Sequence, residues 1–328
     1  LNNDIGVPMM LLELREQHRY AVIEMGANHV GEIDYLTSIA RPDVAILNNV
    51  GPAHLEGFGS LENIAKAKAE IYNGLSEDGF AIINRDDVFS PQWFEYCEQQ
   101  CPVKNIASFS MTDASSEVYA EPVSEDVYRV VAFGQQAELR LAVPGKHNVM
   151  NALAAIAATS CIEVPLASAV ASLSDFENIK GRLTVIDALA GYRVIDDSYN
   201  ANPLSVSAAI DVLADMQDES SDAVLVLGDM AELGADAQQL HDDIAKKAKS
   251  AGIAAFYATG KYFENAVNAF GENGYWFDDK DALANALIED LTGSEIVLLK
   301  GSRSAAMEKV VERILTHEKN KKRVNECF

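Results

Sequence analysis

The chain has 328 residues with a hydrophobic fraction of 48%, enough to bury a sizeable core and to fill two domains. Its 50 Asp and Glu against 26 Lys and Arg give a formal net charge of −24, which argues against sequence-independent nucleic-acid binding and against docking on an anionic membrane, since both need clustered cations. The longest apolar runs fall well short of a membrane span and no secretory signal opens the chain, so a cytoplasmic protein is expected. The cysteines, Cys97, Cys101, Cys161 and Cys327, are then expected to be reduced; Cys97 and Cys101 sit four apart in one helix with no histidine nearby to complete a metal set.

Short apolar runs alternate with amphipathic segments, the pattern of a largely parallel α/β fold. Tyr20–Met25 reads as a buried strand, Glu32–Ala40 as a helix, Asp43–Asn48 as a strand, Leu61–Tyr72 as a helix, Phe80–Asn84 as a strand and Ser90–Gln100 as a helix. From Ala107 to Val143 period-2 alternation takes over in Glu117–Ala120, Val127–Ala132 and Ala137–Val143, which predicts a small antiparallel subsection on the parallel sheet. Pro144-Gly145 ends it, and His147–Ser160 is an alanine-rich helix. A domain boundary is expected between Asp175 and Arg182. Beyond it, strands at Leu183–Ala188, Tyr192–Asp196, Ala223–Leu227, Ala254–Ala258 and Ile296–Lys300 alternate with helices, notably Pro203–Met216, Ala237–Ser250 and Ser304–Thr316.

Carboxyl ends of strands in open α/β sheets are where ligands bind, and six segments, several of them at such ends, carry groups fit for chemistry. In Val22–Asn28 an acid, Glu24, ends a hydrophobic run before a glycine turn; it reads equally as a ligand or as the partner of a nearby cation. His54 stands at the tip of the loop Asn48–Glu56, where a lone histidine is more often solvated than functional. Lys66 and Lys68 share a helix but point about 200° apart, so at most one faces the strand ends. Glu24, His54 and one of the lysines would together suit Mg²⁺ or its shell. Pro144–Ala152 delivers a polar cluster to a helix N-terminus, with Asn148 readable as the N-cap and Asn151 as a first-turn residue.

Gly181-Arg182-Leu183 opens the second domain. In Ile195–Pro203, Asn202 before Pro203 suits an N-cap, while Asp197, Tyr199 and Asn200 exceed what capping needs and point to ligand contact. Leu227–Gly234, carrying Asp229 and Glu232, and Lys300-Gly301-Ser302-Arg303 each follow a strand; the second offers cations and helix amides fit for a carboxylate or phosphate. No G-x-G-x-x-G follows a strand and no G-x-x-x-x-G-K-[ST] or G-x-S-x-G occurs, so hydride transfer and serine-hydrolase chemistry have little support.

Asn2–Pro8, Glu24-Met25-Gly26-Ala27-Asn28, Gly145-Lys146-His147-Asn148, Asp197–Pro203 and Leu227–Gly234, in this order, resemble the Mur ligase family, and within it the member whose acceptor is D-Ala-D-Ala. The resemblance spans essentially the whole chain. It implies a central ATP-binding domain over residues 1–178, with the antiparallel insertion, and a Rossmann-like C-terminal domain over 179–328. By this resemblance Glu24 and His54 match Mg²⁺ ligands, and Lys68 matches a lysine that is carbamylated into a carboxylate-like ligand. Asn148 and Asn151 lie by adenine, Arg182 reaches the phosphates, Asp197 the ribose, and Tyr199 and Asn200 line the same nucleotide cleft. Asn2, Asn3, Asn28, Asp229, Glu232, Lys300, Ser302 and Arg303 are expected to contact substrate. The implied reaction is ATP-dependent: the terminal carboxylate of a UDP-linked muramoyl tripeptide becomes an acyl phosphate, and the amine of D-Ala-D-Ala displaces phosphate, in peptidoglycan precursor synthesis.

A monomer is the expectation, with no nucleic-acid partner. The family also carries a glycine-rich phosphate loop and a UDP-sugar domain upstream of the segment where this sequence starts, so the sequence reads as a fragment, inactive by itself, whose open sheet edge is destabilising. The alternatives are another Mur-type or folylpolyglutamate synthase-like ligase, or a non-catalytic binding protein on the same fold.

Overall fold

The computed structural model describes residues 2–52, 55–124, 126–176, 178–218 and 220–325, with side chains to residue 317. It divides into two compact units, one of Leu1–Val50, Gly57–Ala142 and Lys146–Phe176, the other of Gly51–Glu56, Val143–Gly145 and Glu177–Phe328.

The first unit opens with α1 (Gly6–Leu12) and α2 (Glu32–Ala40), then β1 (Val44–Leu47), α3 (Leu55–Phe58), α4 (Leu61–Ala69), β2 (Phe80–Asn84) and α5 (Ser90–Gln100). It continues with β3 (Asn105–Ser110), β4 (Val118–Ser124), β5 (Val127–Ala132), β6 (Gln135–Arg140), α6 (Lys146–Cys161) and α7 (Leu166–Ser174). The six strands form one sheet in sequence order, parallel from β1 to β4 and antiparallel from β4 to β6. The alternation that predicts an antiparallel subsection therefore holds, and β3, which it hides, extends the parallel part. Small residues Ala65, Ala67 and Ala69 bring α4 close to the sheet, where Trp93 donates its indole N–H to the Ala65 carbonyl at 3.2 Å. Tyr72 is fully buried and donates its hydroxyl to the Ile82 carbonyl at 2.9 Å, and burial holds its phenol well above the usual tyrosine value.

Tyr20–Met25 is a correction: these residues form no strand. A strand apolar on both faces needs a hydrogen-bonded neighbour and cover above and below. Residues 20–25 pair with no described strand, the sheet begins at β1, and Val22 is 93% exposed. The helix expected over Leu61–Tyr72 ends at Ala69 and tightens into a 3₁₀ turn, Glu70–Gly74. The alanine-rich helix starts at Lys146, so Asn148 lies inside its first turn and is not its N-cap.

The second unit contains β7 (Thr184–Asp187), β8 (Arg193–Asp197), α8 (Pro203–Asp215), β9 (Ala223–Gly228), α9 (Ala237–Ser250), β10 (Ala255–Thr259), α10 (Phe263–Phe270), β11 (Gly274–Phe277), α11 (Lys280–Asp290), β12 (Ile296–Lys300) and α12 (Glu308–Asn325). Its sheet runs β11-β10-β9-β12-β8-β7, parallel except for the β7 edge. Asn202 caps α8 as its sequence leads one to expect, accepting from the Ser205 amide at 2.8 Å with proline at the first helical position.

Apolar residues of α8, α9 and α10 cover one face of this sheet, and those of α11 and α12 cover the other. The connections leaving β9 and β8 therefore run to the face opposite the one taken after β12. That reversal places a topological switch point at the carboxyl end of β12, where open α/β sheets form their crevice. Gly228 and Gly301 lie at this point. A Cβ on either would press into Ala305 and Met307 at 2.6–3.1 Å, so the chain after each strand passes close to the other.

Candidate functional site

In the first unit the polar groups gather past the carboxyl ends of β1 and β2. Glu24 accepts from the Asn2 side-chain amide at 2.7 Å, and the Gly26 amide donates to the Asn2 carbonyl at 2.7 Å, so Asn2 fastens the Glu24–Asn28 loop. Gly57 presses on that loop from outside: a Cβ there would lie 2.3 Å from the Asn28 carbonyl oxygen. The Asn28 amide is held by Glu32 at 2.8 Å. Asn3 turns its side-chain oxygen to the Gly6 amide at 2.8 Å and so holds the turn that leads into α1, a structural task beside the substrate contact expected of it.

Lys68 keeps an exposed surface, yet the protein crowded around its ammonium pulls its pKa below the ordinary lysine value. The carboxylate charges of Glu24 and Asp87 act in the opposite sense. Lys66 also stands exposed on α4. Asp87 was not singled out in the sequence. It follows β2 and accepts from the Val50 amide at 2.8 Å and the Phe89 amide at 2.9 Å, tying the loops after β1 and β2 together. His54 lies outside the described residues. Among the described residues no three His, Cys, Asp or Glu side chains converge.

Asn151 accepts from the Asn48 side chain at 2.7 Å, and the buried Asn84 donates to the Asn48 carbonyl at 2.7 Å. Asn48 is left with a buried side-chain oxygen that has no hydrogen-bond partner among the described residues. An asparagine ladder thus bridges β1, β2 and α6. Asn148 stands one turn before Asn151, on the helix that packs across the sheet.

In the second unit, Lys300 is not the ligand-facing cation its sequence position suggests. It is 4% exposed, and its ammonium donates to Asp197 Oδ2 at 2.6 Å and to the Asn200 carbonyl at 2.8 Å. An ammonium drawn below a sheet surface needs such a countercharge, and β8 supplies it from the adjacent strand. Asp197 Oδ1 accepts from the Leu183 amide at 3.2 Å. Arg182 stacks its guanidinium on the Tyr199 ring at 4.6 Å, and Tyr199 remains 51% exposed. Gly181 makes this possible at φ +80°, accepting from the Tyr199 amide at 3.0 Å.

Ser302 donates its hydroxyl to the Asp229 carbonyl at 2.6 Å, and its amide donates to the same oxygen at 3.1 Å, joining the loops after β9 and β12. Behind them lies His241, fully buried and missed in the sequence. Its Nδ1 donates to the Ala237 carbonyl at 2.6 Å, leaving Nε2 to accept the Met230 amide at 3.0 Å, with Asp229 Oδ1 3.7 Å away. Tyr262 stacks on the ring at 5.0 Å. The one available signal was that Ala237, His241, Ile244, Ala245 and Ala248 make a single helical stripe, which puts the histidine among core residues. Glu232 follows in the same loop with φ 60°, a left-handed position unusual for a side-chain residue.

Burial lowers the His241 pKa, with the Ala237 carbonyl and the charges of Asp229 and Asp242 opposing. The folded protein thus binds its proton less readily than the unfolded chain does. Stability is complete above the ordinary value near 6.5 and is lost as pH falls below it toward the depressed folded value. Thermal unfolding between pH 7.5 and pH 5 is expected to show this loss in the native protein and a shallower slope in His241→Gln.

Residues 1–159 match the Mur ligase middle domain and residues 181–303 the Mur ligase glutamate ligase domain. The chain is 41% identical over 325 residues to the UDP-N-acetylmuramoyl-tripeptide–D-alanyl-D-alanine ligase of Escherichia coli (strain K12), covering 96% of this chain and 69% of that protein. It belongs to the Mur ligase family. The ligase of the same name from Bacillus subtilis (strain 168) is 33% identical, over 96% of this chain and 68% of its own length. Among solved structures, MurF from Acinetobacter baumannii superposes with a TM-score of 0.87 at 35% identity, covering 96% of this chain and 69% of that one. The mixed sheet of the first unit and the mostly parallel sheet of the second are thus the Mur ligase fold. No described helix is long and apolar enough to cross a membrane.

Proposed function

We propose that this chain carries the ATP-dependent joining of D-alanyl-D-alanine to a UDP-N-acetylmuramoyl tripeptide, a step in making peptidoglycan precursors in the cytoplasm. The observation that carries this reading is the 41% identity over nearly the whole chain to a ligase named for those two substrates. The tripeptide carboxylate attacks the γ-phosphorus of ATP and ADP leaves; the dipeptide amine then attacks the acyl phosphate, losing a proton as phosphate departs. Little covalent chemistry falls to the protein, whose task is positioning and offsetting charge.

Crowding disfavours the charged form of Lys68, against the opposing charges of Glu24 and Asp87, which favours the neutral amine needed to take up CO₂. The resulting carbamate and Glu24, with His54, form an oxygen-rich set of the kind a hard cation takes. Mg²⁺ held there would offset charge on the transferring phosphoryl group. In the second unit Arg182 and Tyr199 offer a cation and an open aromatic face to the nucleotide. Asp197, at the carboxyl end of β8, is the acceptor assigned to a ribose hydroxyl. Asn148, Asn151 and Asn200 provide neutral donors and acceptors for the base and sugar, while Asn28, Asp229, Glu232 and Ser302 belong to loops that meet substrate.

Release of ADP by the gene-encoded protein is the test. ADP is expected only when UDP-N-acetylmuramoyl tripeptide and D-alanyl-D-alanine are both present. Turnover with a single amino acid in place of the dipeptide would overturn the substrate assignment.

A further inference from the structure

The loop between β12 and α12 holds an ion pair whose acidic member has been given no role so far. Arg303 follows β12 at the switch point, 66% exposed, and its Nη1 lies 3.2 Å from Glu308 Oε1. Glu308 opens α12, and its side chain is 26% exposed. Its second oxygen, Oε2, is buried and has no hydrogen-bond partner among the described residues. A buried carboxylate oxygen without a donor costs stability, and a glutamine or an apolar side chain would carry less of that cost. A residue kept only to begin a helix has no need of it. The rest of the loop is fixed from other directions: Lys280 donates to the Ala305 carbonyl at 2.9 Å, and Ser302 is tied to Asp229. Between these anchors the Arg303 side chain stands exposed, and Glu308 is its only ion-pair partner among the described residues.

We propose that Glu308 is a positioning residue that aims the guanidinium of Arg303 at the free carboxylate of the acceptor dipeptide. This rests on the ligase reading above and adds to it the basis for preferring an acceptor with a free carboxyl terminus. A flexible arginine loses much of its binding energy to ordering; one held by a partly dry carboxylate is ordered beforehand and presents its planar fork for bidentate contact. The effect belongs in acceptor binding and leaves the chemical step alone.

The test compares D-alanyl-D-alanine with its C-terminal amide in the gene-encoded enzyme and in Glu308→Gln. The native enzyme is expected to favour the free acid. In Glu308→Gln the KM for the acid rises about tenfold, kcat at saturation holds within about twofold, and the preference over the amide collapses. Thermal stability stays level or rises. Arg303→Gln gives the same loss, and the double variant is no worse than Arg303→Gln alone. Glu308→Asp, which keeps the charge but withdraws it by one methylene, serves if the glutamine variant folds poorly, and is expected to weaken the same preference. Equal weakening of both acceptors, or additive losses in the double variant, would overturn the proposal and leave the ligase reading standing. A native enzyme that takes no D-alanyl-D-alanine would remove the ligase reading itself, and this inference with it.

Discussion

Lys68→Arg is expected to lower ligase turnover by about 100- to 1,000-fold while leaving the fold intact. The substitution keeps the positive charge and nearly the length, so a lysine that served only as a surface cation would tolerate it. A guanidinium is protonated at every accessible pH and cannot add CO₂. The carboxylate-like oxygen that the amine would supply beside Glu24 is therefore lost, along with the set that offsets phosphoryl charge. Lys66→Arg, on the same helix but outside that group, is the control and is expected to keep native turnover. Steady-state ADP release decides the matter, together with an intact mass showing one bound CO₂ in the native protein and none in the variant. Full activity of Lys68→Arg would show that the amine is not a precursor of a ligand.

Asp197→Ala is expected to destabilise the second unit by about 3–5 kcal/mol, because it leaves the buried ammonium of Lys300 without its countercharge. Removing both charges, with Lys300→Met added to Asp197→Leu, should restore much of that stability, since a buried pair is worth little more than a well-packed apolar one. Urea unfolding of the single and double variants measures this directly. Nucleotide affinity should stay impaired in both, because the double variant regains packing without regaining an acceptor for ribose. Recovery of affinity in the double variant would reduce Asp197 to a structural countercharge.

Most of the strand and helix pattern was written in local residue order. β2, β5, α2, α5, α9 and β12 are continuous runs whose period shows in the letters, and Asn202-Pro203 announces the start of α8 by capping chemistry alone. The antiparallel turn of the first sheet was legible for the same reason: period-2 alternation records one wet and one dry face. Failures came where the answer depends on a neighbour. Tyr20–Met25 has the letters of a strand, but a strand exists only through its partner, and none pairs with it. β11 is four residues led by glycine and has no period of its own to read; pairing with β10 makes it a strand.

The site divides along the same line. Residue type and position past a strand end drew attention to Glu24, Lys68, Asp197, Asp229 and Arg303, since burial and charge chemistry are written in the residue itself. Which cation is spent inside the protein and which is offered outward was not. Lys300 and Arg303 stand three apart in one loop, and only the adjacent strand β8, carrying Asp197 from a hundred residues earlier, makes the first an internal countercharge. Asp87 and His241 went unnoticed because each acts through a group distant in sequence or hidden in the core, and Glu308 because only the turn between β12 and α12 brings its carboxylate to Arg303. The sequence by itself determined the elements, the family and the kinds of groups at the strand ends. The tertiary structure decided which of those groups face each other, because electrostatic and hydrogen-bond partners are chosen by distance in space and chain order does not record that distance.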